Sequence, residues 1–462
     1  MILGAAPFGI RVVDRDTGRG VPLITLRTVN QIELVTDNLG YAAFLEPGLM
    51  NRKTFFHVEG PGYEFPADGF GYRGLALQTE PGKIETIKVV RTQIAERVSR
   101  LTGQGLWRDS ALLEIGPDSP LNASVTGQDT AQAIEYKGKL LWFWGDTDRA
   151  DYPLGNFYTT GAVARSSGKP LETIDFDYFR DDKGFVRAMV PSTKPHPIWI
   201  SGLAVVEDNL IGYYSEMESL GKILSHGLLK WNDDEERFDR WTTFDTARGW
   251  KFLEGHLTRH GDYLIGGNLP AVRVRNRLAD VQRADAYEAF SCLAPDGTVN
   301  QKDGKAVYAW TKSVEPITSQ KEFDLVKSGK LQASDAHFLP IDQNGKPAVI
   351  VSGSVAWNAH RKRWLGIFGR RDGEKSFLGE IVVSEADSPT GPFRKCVTVA
   401  DHPNYTFYNP VHHPFLDDGR FVYFEGTYTA EFSGNAHKTP RYNYNQLLYR
   451  LDLDDPRIKA LQ

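Results

Sequence analysis

The chain of 462 residues sets 54 Lys and Arg against 59 Asp and Glu, a net charge of -5, with 41% hydrophobic residues. That balance supplies no basic field for nucleic acid, and no apolar stretch approaches the length that spans a membrane. The two cysteines, Cys292 and Cys396, offer no Cys/His spacing for zinc, and their distance in sequence leaves open whether they pair. The first residues, MILGAAPFGI, lack the basic and apolar regions of a secretory signal. The location stays open: secreted or periplasmic if a signal peptide has been removed, and cytoplasmic otherwise.

Residues 1–91 are predicted to form a small β-sandwich. Phe8–Asp14 alternates, and short strands follow at Val21–Thr28, Gln31–Thr36, Phe55–Glu59 and Glu85–Val90, separated by turns such as Asp37-Asn38-Leu39-Gly40. Residues 92–116 are predicted to be a helical linker. Ile94, Val98 and Leu101 fall at i, i+4 and i+7, which predicts a helix over Thr92–Thr102 ending at Gly103, with Trp107 and Leu112-Leu113 docking it.

From residue 117 to 462 a different theme recurs: apolar strand, turn, apolar strand, polar tip. It occurs at Ala131–Thr147, Trp199–Ser215, Gly255–Asn268, Ser334–Ser354 and Val411–Thr427. Outer strands are expected at Leu228–Trp231, Phe290–Leu293, Arg363–Phe368 and Leu447–Leu453. About four strands per unit and five units predict an all-β chain, a sandwich followed by a five-bladed β-propeller.

The first hairpin carries the sharpest signal. Asp129 and Asp146 flank the Lys137-Gly138 turn, so antiparallel pairing brings both carboxylates to one rim. Two carboxylates held close are the minimum equipment for hydrolysing a glycosidic bond. Glu425 follows three apolar residues in YFEGTYT, and a carboxylate leaving such a run needs a partner or a ligand, so it joins the two Asp residues as a catalytic candidate. In a propeller the inner hairpins converge on the axis. Gln128, Arg149, Asn156, Trp199, Glu254, His256, Asp335, His337, Tyr408, Asn409 and His412 are the expected substrate-binding residues. No metal ligand set and no cofactor loop is present. Asp335 and His337 are the one pair suited to a structural cation on the axis.

The run GQD…LWFWGDT resembles the first-blade signature of the five-bladed propeller glycosidases that include the endo-D-arabinanases. The resemblance implies Asp129 as nucleophile and Asp146 as acid/base, and it weakens in later blades. Trp144 stands where Phe is usual, and Gln128 precedes the first Asp. The N-terminal run VVDRDTGRGVPLITL…VTDNLGYAAF…FFHVEGPGY resembles the carboxypeptidase-regulatory or transthyretin-like sandwich, an accessory module. The expectation is a glycoside hydrolase acting on a D-arabinan-like furanoside, with a carbohydrate as partner, no nucleic acid, no membrane, and an oligomeric state the sequence leaves open. Two alternatives stand beside it: a glycan-binding propeller without turnover, and a polysaccharide lyase using Tyr408 with His412 or His413.

Overall fold

The computed structural model describes residues 6–461 except 107, 166–173, 193–195, 372, 374 and 375. The docking role expected for Trp107 lies outside the described residues.

The N-terminal unit is an eight-stranded β-structure. Phe8–Asp14 pairs with Tyr41–Phe44 on one side and Ile84–Arg91 on the other. Thr25–Thr28, Glu33–Val35, Lys53–Gly60 and Gly74–Gln78 form the second part, joined through Tyr63–Glu64 to Ile84–Arg91. Alternate residues of these strands, among them Phe8, Ile10, Phe44, Phe56 and Val89, make its core.

Five antiparallel sheets follow as the blades of a propeller. From axis to rim, blade one is Gln132–Tyr136, Lys139–Trp144, Thr160–Arg165 and Asp175–Tyr178. Blade two runs Ile198–Val206, Asn209–Ser219, Lys222–Asn232 and Arg237–Phe244, and blade three begins with Thr258–His260 and Tyr263–Gly266. Blade four is Ile350–Asn358, Arg363–Arg370, Glu380–Ala386 and Cys396–Asp401. Blade five starts with Thr406–His412, Phe421–Thr429 and Asn445–Asp452.

Period two governs how the blades pack. On Lys139–Trp144, Trp142 and Trp144 enter the core shared with blade five, while Leu141 and Phe143 enter the core shared with blade two. A strand buried on both faces reads as a continuous apolar run, as LLWFW does. Cys292 and Cys396 are both free and buried. They sit in the core between blades three and four.

Two expectations fail. No helix forms over Thr92–Thr102. Glu96–Arg100 is instead the outermost strand of blade five, pairing Leu447 with Arg100 and Arg450 with Glu96. The helix in this stretch is only Asp109–Leu112, with Leu112 exposed rather than docked. In blade four, Ser334–Ser354 is not the inner hairpin. The turn at Asp342–Lys346 is real, but it lies outside the blade, and the inner hairpin is Ile350–Asn358 with Arg363–Arg370.

The two units meet across a polar, buried seam. Arg97 is fully buried and donates to the carbonyls of Pro22, Leu23 and Pro61. Arg19 reaches back to Glu96 at 2.6 Å, and the Tyr442 hydroxyl donates to the Thr36 carbonyl at 2.6 Å.

Candidate active site

Blade one positions the two aspartates. Its hairpin pairs Gln132 with Phe143, and the flanking short strands pair Gln128 with Thr147, a register that sets Asp129 directly opposite Asp146. The Asp129 amide donates to the Asp146 carbonyl at 3.2 Å, and the Gly145 amide donates to the Asp129 carbonyl at 3.0 Å. Each carboxylate then reaches a different blade. Asp129 Oδ1 accepts from the Asp146 amide at 2.8 Å, and its Oδ2 accepts from the Tyr408 hydroxyl of blade five at 2.8 Å. Asp146 Oδ1 accepts from Trp199 Nε1 of blade two at 3.1 Å, an indole that also donates to the Phe157 carbonyl. Both aspartates are half-buried.

Electrostatics separate the pair. Burial pushes the Asp146 carboxyl up to about 7, and the neighbouring charge of Asp129 adds to it. Burial also raises Asp129, but hydrogen bonds from Tyr408, the Asp146 amide, Tyr444 and Thr130 all favour its ionised form. Asp129 is thus the more heavily hydrogen-bonded of the pair, and Asp146 carries the added repulsion. Two nearby acids, Asp148 and Glu431, are both raised, first by partial burial and further by Asp129, with Lys438 opposing.

On the axis itself lies a small cavity of about 160 Å³ contributed by all five blades, with Thr130, Gln132, Ser201, Glu254, His256, Ser352 and Asn409 in its walls. The aspartates do not line it. They stand beside it, since Thr130, next to Asp129, lines it, and Tyr408, bonded to Asp129, precedes the lining residue Asn409. Glu254 is the acid of this cavity among the described residues. No hydrogen bond or ion pair to its carboxylate is present among them, and burial raises its pKa. His256 beside it is held down to about 3, first by burial and then by His413. Asn409, at a positive φ of 49°, donates through its side chain to Thr130 Oγ1 at 3.0 Å, tying blade five to blade one.

The structure thus brings together Asp129, Asp146, Trp199, Tyr408 and Asn409, with Glu254 and His256 across the axis. It does not bring the others. Glu425 is fully buried between blades five and one, accepting from Trp142 Nε1 at 2.9 Å and contacting His413 Nε2 at 2.8 Å. It packs where the sequence placed a funnel acid, because the second strand of a blade faces its neighbours rather than the axis. Gln128 is buried too, bonding Thr147, Thr160 and Tyr178 inside blade one. Arg149 donates to the Leu154 carbonyl and stacks over Tyr152, and the Asn156 side chain caps the Tyr158 amide. His412 is buried against Asp417 at 2.8 Å. Asp335 and His337 fall off the axis with the misplaced hairpin. Asp335 accepts from the Ala306 amide, and His337 Nδ1 bonds the Thr390 carbonyl. The axial cation idea therefore loses its two ligands, and among the described residues no group of three His, Cys, Asp or Glu is placed to hold a metal ion.

Sequence reasoning missed Tyr444, Lys438 and Glu431. All three lie in the loop between the second and third strands of blade five, where no period or motif marks them. Tyr444 adopts a positive φ of 61° to turn toward Asp129.

No family model matches the chain, and no curated protein matches it in sequence. Several solved structures align with it at low identity and low TM-score. A thermostable family-43 glycoside hydrolase is 8% identical, over 70% of this chain and 88% of that one, with a TM-score of 0.33. An exo-1,5-alpha-L-arabinanase from a bovine ruminal metagenomic library is 11% identical over 71% and 94%, with a TM-score of 0.35. An N-acetylgalactosamine deacetylase from F. plautii is 9% identical over 72% and 92%, also with a TM-score of 0.35. Likenesses of this size carry no residue role to this chain.

Proposed function

We propose that the protein hydrolyses glycosidic bonds, with D-arabinan-like furanoside linkages as the expected substrate class. The observation that carries this reading is the cross-strand aspartate pair beside the axial cavity, one carboxylate bonded by the Asp146 amide and the Tyr408 hydroxyl and the other pushed up to about 7 by burial and by its neighbour's charge. Asp146 gives its proton to the leaving oxygen while Asp129 attacks the anomeric carbon, forming a glycosyl ester. Water then cleaves the ester, with Asp146 taking the proton back. Neighbouring strands lie about 5 Å apart, which suits the roughly 5–5.5 Å carboxyl spacing of retaining enzymes. Glu254, facing the sugar from blade three, holds substrate hydroxyls.

A panel of polysaccharides with chromatographic product analysis tests the activity, and NMR of the first anomer released tests retention. Asp129→Asn and Asp146→Asn should be inactive while folded. Binding without turnover by the native chain would replace this reading with a glycan-binding propeller. The lyase reading is poorly supported, since the Tyr408 hydroxyl is spent on Asp129 and its pKa is pushed well up, first by burial and then by that charge.

A further inference from the structure

Next to the axial cavity, between blades three and four and bordered by Tyr408 and Phe432 of blade five, lies a second cavity of about 620 Å³. The two share Glu254, Asn268, Ser352 and Asn409, so a ligand seated on the axis reaches directly into it. Its walls differ sharply from a sugar site. Trp250, Leu269, Val272, Ile317, Val351 and Leu378 are among its apolar lining.

Away from its axial end, where Glu254, Asn268 and Ser352 lie, the polar side chains that line it are engaged within the protein. Ser319 Oγ accepts from the Ile350 amide, Gln320 Nε2 donates to Asp324, Thr318 Oγ1 accepts from the Lys321 amide, and Asn409 is tied to Thr130. Arg371 stacks over the Phe377 ring at the edge. A hydroxylated sugar ring buried here would lose its bonds to water and gain few in return. An aromatic ring loses nothing of that kind, freezes few rotors, and meets Trp250 and Phe252 in the cavity wall.

We propose that this cavity is a subsite for an aromatic group carried on the sugar, either an aryl aglycone or an aromatic ester. The proposal rests on reading the axial site as a sugar site. The glycan unit sits at the axis against Glu254 and the aspartate rim, and its apolar substituent fills the space between blades three and four. Selectivity then comes from the substituent as much as from the sugar.

The test uses the full-length protein and 2-naphthol as a fluorescent probe free of any sugar. Saturable binding of one probe per chain is expected, weakened at least about tenfold by Val351→Asp, which places a charge on the apolar wall. Trp250→Ala, at a partly exposed position, gives the same readout should Val351→Asp fail to fold. Phenyl α-D-arabinofuranoside and methyl 5-O-benzoyl-α-D-arabinofuranoside are then tried as displacers. Displacement by the first assigns the group to the aglycone, and by the second to an ester. Absence of saturable probe binding, binding indifferent to both variants, or displacement by neither glycoside overturns the subsite. A chain that binds and exchanges these ligands yet cleaves no polysaccharide keeps the subsite and loses the hydrolase reading. Cleavage of plain glycans without probe binding does the reverse.

Discussion

The two sides of the site are built on opposite principles. On the side of blades one and five, polar groups satisfy one another: Tyr408, Tyr444, Thr130 and a backbone amide converge on Asp129, and Trp199 on Asp146. On the side of blades three and four, Glu254 has no hydrogen bond or ion pair among the described residues and borders an apolar wall. A saturated network fixes charge and geometry in advance, which is what a reacting group needs. A lone acid beside apolar surface is left for the ligand to complete. The difference teaches which substitutions should touch the chemical step and which should touch affinity.

The largest effect is expected at the network. Asp129→Asn or Asp146→Asn should lower kcat by about 10²–10⁴-fold with the melting temperature held, read by steady-state kinetics and calorimetry. Glu254→Gln should act mainly on KM. A collapse of kcat there, with Asp146→Asn still active, would transfer the proton-donor role across the axis.

Next comes the support behind the network. Glu425→Ala strips an acceptor from the Trp142 indole and a partner from His413 in a dry core, so it should cost about 1–3 kcal/mol of stability. Activity per folded molecule should survive, and a selective loss of turnover would return Glu425 to the chemistry.

The pH response follows from Asp146, whose carboxyl rises from 3.8 to about 7 on folding. Between those values the folded chain holds a proton that the unfolded chain has released. Its contribution to stability is therefore full below about 4 and is lost as pH rises through 7. Turnover should fall over the same upper limb, and thermal melts of Asp146→Asn should be flatter between pH 4 and 8 than those of the native chain. The smallest effect is expected at Tyr442→Phe, which deletes one bond across the seam and should cost about 0.5–1.5 kcal/mol in chemical denaturation.

Much of this arrangement was legible in the sequence where period two held. The spacing of Asp129 and Asp146 about a Lys-Gly turn put them opposite each other, and the inner hairpins of blades one, two, three and five followed from the same alternation. Legibility failed where a stronger local signal competed. Asp342-Gln343-Asn344-Gly345 is a better turn sequence than the true inner turn after Asn358, which has no glycine and places Lys362 at a positive φ of 53°. Glu96–Arg100 is buried at every position, because blade five covers one face and the sandwich the other, and that burial erased the alternation that marks a strand. What remained was an i, i+4, i+7 pattern that mimics a helix. Glu425 was misplaced for a third reason: sequence shows that a carboxylate leaves an apolar strand, but not which neighbour it meets.

The strand Glu96–Arg100 also sets the order of events on the ribosome. It is the first propeller strand to be made, yet its partner Arg450 lies 354 residues beyond Glu96. The ring closes only when almost the whole chain has emerged, so the earlier blades must persist for that time with an open edge. Residues 8–91 are finished first, and Arg97 is held by their carbonyls. The N-terminal unit can thus keep the waiting strand in place until the last blade arrives to capture it.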